Sequence, residues 1–130
     1  MANYPARNSG DQTINYLRAP FTFTAGNSGI VQVGTLPAGA VVLRAYVVIN
    51  QVFNWGTNNL LKVGIVGSDA SIISSASLLA LGIISATAVL TAAATITPTV
   101  DTQIIATSLA TGTQATTGSG FIVIEYCPMA

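Results

Sequence analysis

From residue 21 onward, turn-forming residues interrupt this chain about every ten positions, and the stretches between them alternate apolar with polar side chains. That spacing suits strands and leaves little room for helices of ordinary length. Residues 21–24 (FTFT) alternate, Gly26-Asn27-Ser28-Gly29 turns the chain, and residues 30–36 form a second strand before the Pro37-Ala38-Gly39 turn. The clearest strand covers residues 41–52 (VVLRAYVVINQV). Strict alternation puts Val41, Leu43, Ala45, Val47 and Ile49 on a core face, with Val42, Arg44, Tyr46, Val48 and Asn50 on the other. Residues 60–66 read as a strand with Leu61, Val63 and Ile65 inward. Residues 71–81 fit neither period, so a short helix, an irregular crossover and a strand all remain open. Threonine-rich strands are expected over residues 89–97 and 103–109, and residues 111–120 (TGTQATTGSG) read as a long flexible loop. Residues 121–126 (FIVIEY) are apolar on both faces except at Glu125, the mark of a central strand. The pattern predicts one all-β domain, an antiparallel β-sandwich or barrel, over residues 21–130.

Residues 1–20 show no such period and hold Pro5, Gly10, Asp11 and Pro20. They read as an extended N-terminal arm: a disordered tail, or a segment that orders on a partner. Tyr4, Pro5, Arg7, Tyr16 and Arg18 are its candidate anchors, with Tyr and Arg among the types enriched at interface hot spots.

Charge narrows the functional classes. Only 6% of the 130 residues are charged, four cations against four anions, where an ordinary soluble domain carries about 25%. A folded monomer of this size exposes about 6,400 Å², so ionised groups are sparse on its surface. A neutral exterior of Thr, Ser, Asn and apolar groups favours association, with copies of itself or with a larger partner. The outward apolar positions Val42, Tyr46 and Val48 are the candidate subunit interface. No two cations lie within ten residues of each other, which argues against nucleic acid and against an anionic membrane surface. Residues 72–90 (IISSASLLALGIISATAVL) are uncharged, yet Ser, Thr and Gly interrupt them and no basic or aromatic flank marks a membrane span. The start is polar, without a secretory pattern, and Cys127 is the only cysteine, so synthesis in a reducing cytoplasm is expected.

Catalytic chemistry is not indicated. The chain has no histidine, its carboxylates are scattered, and Cys127 has no neighbouring base, so neither catalytic residues nor a metal site, cofactor or small-molecule substrate is expected. Gly64-Ile65-Val66-Gly67 lacks the lysine and the helix of a phosphate-cradling loop. Phe53, Asn54 and Trp55 form an expected exposed loop with three readings: a plug at one end of the sandwich, a contact to a neighbouring protein, or a platform that stacks a sugar ring.

The run Val33-Gly34-Thr35-Leu36-Pro37-Ala38-Gly39-Ala40-Val41, then Val47-Val48-Ile49-Asn50-Gln51-Val52-Phe53, then Thr57-Asn58-Asn59-Leu60-Leu61-Lys62-Val63-Gly64, and the ending Phe121 to Tyr126, resembles small bacteriophage head decoration, or cement, proteins. The resemblance covers roughly residues 29–67 and the last strand; the Ala/Thr-rich middle carries no signature. It implies a jelly-roll-like fold, a homotrimer, the major capsid protein as partner, a place on the outer surface of the virion and a stabilising role there. Three functions compete: capsid decoration, a tail or fibre module that binds glycans through Trp55, and a minor membrane-associated protein using residues 72–90.

Overall fold

Side chains in a strand alternate between two faces, so a chain of short strands buries its apolar half only by stacking one sheet on another. The computed structural model, which describes residues 14–27, 29–85 and 98–128, does this with two four-stranded antiparallel sheets. The strands are β1 (Asn15–Thr22), β2 (Ile30–Leu36), β3 (Val41–Gln51), β4 (Asn58–Ile65), β5 (Ser68–Ser77), β6 (Gly82–Ser85), β7 (Thr102–Thr111) and β8 (Ser119–Cys127). A five-residue helix, α1 (Phe23–Asn27), links β1 to β2. One sheet has the order β1-β8-β3-β6 and the other β2-β7-β4-β5.

The pairing is nested. Each strand of the first half lies beside its mirror in the second: β1 with β8, β2 with β7, β3 with β6, β4 with β5. A long hairpin folded over itself in this way, with β3·β8 and β4·β7 as the added contacts, is a jelly roll. Between the sheets lie Phe21, Leu36, Val47, Leu61, Val63, Ile72, Ile73, Leu78, Ile104, Ile122 and Ile124, all essentially without solvent exposure.

Several local details depart from the sequence reading. Strand β1 starts at Asn15, so the described part of the expected arm belongs to the sandwich, with Leu17, Ala19 and Phe21 turned toward the core. As an edge strand it tolerates Pro20. Residues 1–13, with Tyr4, Pro5 and Arg7, and the expected strand at 89–97 lie outside the described residues. The ambiguous 71–81 segment is largely strand β5, and none of the helices among the described residues is long and apolar enough to cross a membrane.

Strand β3 does not alternate throughout. A bulge at Leu43 interrupts its pairing with β8 between Val42 and Arg44, so Leu43 and Arg44 share the outward side. Ala45, Val47 and Ile49 face inward as expected. Upstream of the bulge the faces are exchanged: Val42 is buried, while Val41 and Leu43 are about 40% exposed. Val42 therefore leaves the candidate interface and joins the core.

Candidate docking surface

The outer face of the β1-β8-β3-β6 sheet gathers the outward residues of four strands. Antiparallel partners point the same way, so register fixes three rows across it: Tyr16–Glu125–Arg44, then Arg18–Val123–Tyr46–Ser85, then Pro20–Phe121–Val48–Ile83. Two of the three candidate interface positions on the 41–52 strand, Tyr46 and Val48, stand here, together with Tyr16 and Arg18 from the segment read as an arm. Sequence reasoning assigned these two groups to different tasks, and the structure brings them onto one face. Phe121, Val123 and Ile83 complete it, and no local pattern marked them as its members.

The rows form a shallow groove lined by Tyr16, Arg18, Tyr46, Val48, Ile83, Phe121 and Val123. Its floor is apolar and its charges are placed unevenly. Glu125, on the central strand, is only 6% exposed, flanked by Tyr16 and Arg44 in its row. Arg44 Nε donates to Glu125 Oε2 at 2.6 Å, an ion pair between a buried acid and an exposed guanidinium. That hydrogen bond, and then the carboxylate's charge, holds the Arg44 pKa above its ordinary value. Partial burial, followed by the nearby charge of Glu125, pushes the Tyr46 phenol upward as well. Arg18 has no acidic partner among the described residues; its guanidinium lies over the Phe121 ring, 4.1 Å from the centroid.

The aromatic loop is not exposed as expected, apart from Asn54. Phe53 and Trp55 are 1% and 5% exposed, because their rings stack at 5.3 Å and close one end of the sandwich against Phe21. The Trp55 indole N–H donates to Asn27 Oδ1 at 2.6 Å. Its backbone N–H donates to Asn59 Oδ1 at 2.7 Å, and Asn59 Nδ2 returns a bond to the Trp55 carbonyl at 3.0 Å. Asn54 Oδ1 accepts the backbone N–H groups of Thr116 and Thr117. The plug is therefore the reading that holds: Trp55 offers no open face for a sugar. The same bonds tie down the 112–118 loop, where Ala115 is 3% exposed and bonds to Asn27.

Across the sandwich, the outer face of β2-β7-β4-β5 carries the Lys62–Asp69 ion pair at 2.9 Å near exposed Ile30 and Val66. No group of three or more metal-ligating side chains occurs among the described residues.

No family model and no curated protein matches the chain. Solved structures do. A chain in the acidic stable capsid structure of Helicobacter pylori bacteriophage KHP30 superposes with a TM-score of 0.62 at 18% identity, over 89% of this chain and 88% of that one. A chain of the cyanophage Pam1 capsid asymmetric unit superposes with a TM-score of 0.60 at 24% identity, over 98% of this chain and 93% of that one. At these identities the likeness shows a shared fold.

Proposed function

We propose that this chain is a virion structural protein that decorates the outer surface of a phage capsid and stabilises it by bridging subunits of the major capsid protein, without catalysis. The observation that carries the reading is the near full-length likeness in fold to chains in two phage capsid structures. A sheet face with Ile83, Tyr16 and Leu43 open to solvent, on a chain with so few ionised groups, supports it physically. Such a face is stable in water only in part, and burying it against another subunit removes apolar area from solvent.

The two groups of expected contact residues then divide by position. Tyr4, Pro5 and Arg7, ahead of β1, are assigned to attachment on the capsid protein. Tyr16 and Arg18 pass to the sheet face and act with Tyr46 and Val48 between copies of this chain in a homotrimer. Many modest contacts made at once give strong overall attachment.

Deletion of residues 1–13 tests the assignment. The shortened protein is expected to keep its fold and its solution mass while losing co-sedimentation with purified heads that lack the native protein. Binding equal to that of the full chain overturns the proposal.

A further inference from the structure

Among the described residues six side chains carry a formal charge, and four are used within the molecule, as Arg44–Glu125 and Lys62–Asp69. Arg18 and Asp101 remain without an ion-pair partner among those residues, one of each sign. They sit on dissimilar surfaces. Arg18 lies in the groove, against Phe121 and beside Tyr46 and Val48. Asp101 lies on the turn before β7, where its Oδ1 accepts the Ala38 N–H at 2.9 Å. The preceding residue, Val100, is 66% exposed, and its carbonyl accepts the Thr102 hydroxyl at 2.8 Å, which fixes the turn.

We infer that the groove receives the Val100–Asp101 turn of a second copy of this chain, with Val100 on the apolar floor and Asp101 against Arg18. This rests on the assembly reading above and gives it a contact. Charge sign selects the arrangement. Packing groove on groove about a twofold axis brings two Arg18 cations into one apolar interface, and the only acid on that face among the described residues, Glu125, is already engaged by Arg44. A contact between unlike surfaces pairs each Arg18 with an acid and leaves every copy with one groove and one turn still to fill. Such a head-to-tail contact closes into a ring when the rotation allows.

The test is the solution mass of the full chain by sedimentation, across micromolar concentrations, with circular dichroism as the folding control. The wild type is expected to be oligomeric. Arg18→Asp and Asp101→Asn are each expected to raise the dissociation constant at least tenfold, and Asn keeps an acceptor for the Ala38 N–H. The double variant Arg18→Asp with Asp101→Arg is expected to recover most of the lost association. Should Arg18→Asp fail to fold, Arg18→Gln replaces it, with the same expectation. A monomeric wild type, a wild-type mass in the single variants, or dissociation by Asp11→Asn and not by Asp101→Asn overturns the contact; the last assigns the groove to residues 1–13. Uptake by purified heads is scored separately. Wild-type protein that heads do not bind sinks the decoration reading whatever its mass, and unaltered masses in the variants sink this contact whatever the heads bind.

Discussion

Asn59 grips the Trp55 peptide unit from both sides, accepting from its N–H and donating to its carbonyl, at a position only 8% exposed. Asn59→Ala leaves both groups buried and unpaired, and a loss of about 1–3 kcal/mol of unfolding free energy is expected by urea denaturation. Asn59→Asp should be at least as damaging, since the carboxylate keeps the acceptor, loses the donor and buries a charge. Gly118 is held as tightly: φ is +137°, and a Cβ there runs into the Phe53 ring. A second residue-scale prediction concerns Tyr46, whose phenol is held above the ordinary 10.0 by partial burial and by Glu125. The native state then holds that proton more tightly than the unfolded chain does. Its contribution is constant below about pH 10 and is lost as pH rises through the native value, above 10.0. Tyrosinate absorbance of the wild type minus that of Tyr46→Phe should show this late titration; a difference curve centred at or below 10 contradicts it. None of this network was legible in the sequence. An Asn four residues after a Trp suits a buried clamp and a sugar platform equally, and only the stacking of Phe53 on Trp55 separates them.

Single strands were readable wherever they keep their period and obscure wherever they break it. The 41–52 segment reads plainly as a strand, yet its upstream end carries the opposite faces because of the bulge at Leu43. A bulge leaves no sequence mark when both residues sharing a side, here Leu43 and Arg44, are ordinary strand residues. The consequence is measurable. Val42→Asp places a charge between the sheets and is expected to cost about 3 kcal/mol or more, while Leu43→Asp should stay within about 0.5 kcal/mol. Uninterrupted alternation predicts the reverse order. Strand β1 escaped notice for a related reason: its inward residues Leu17, Ala19 and Phe21 do alternate, but Pro20 and the polar outward set dilute the signal. In β5 three consecutive residues, Ser71, Ile72 and Ile73, are buried, and pairing with β4 is irregular on either side of Val63. A segment of that kind has no period to find.

At the scale of the molecule, turn spacing is enough to predict an all-β sandwich or barrel, whereas the choice between them and the topology rest on pairings between distant parts of the chain. Asn15 lies opposite Tyr126, and β8 fills the gap between β1 and β3. No local pattern encodes such partners; the resemblance to small virion proteins implies the jelly roll, and periodicity does not. Contacts between residues so far apart are slow to form, so refolding from denaturant should take milliseconds to seconds and not microseconds, as stopped-flow fluorescence of Trp55 will read. A chain stopped after residue 118 loses the strand that two ladders share and should fail to give the cooperative unfolding transition of the full chain. The scarcity of ionised side chains is visible in the sequence, and the structure engages four of the six described charges in two internal ion pairs, Arg44–Glu125 and Lys62–Asp69.

The side-by-side pairing of the first and last strands also decides how the molecule can be built upon. Chain entering at Asn15 and chain leaving after Cys127 meet at the same end of one sheet, and the stacked aromatic rings seal the other. Peptides or reporter domains fused ahead of β1 and behind β8 would therefore crowd the same corner, while an insertion among residues 112–117 would project from the far pole. One molecule would then hold two kinds of cargo at its opposite ends.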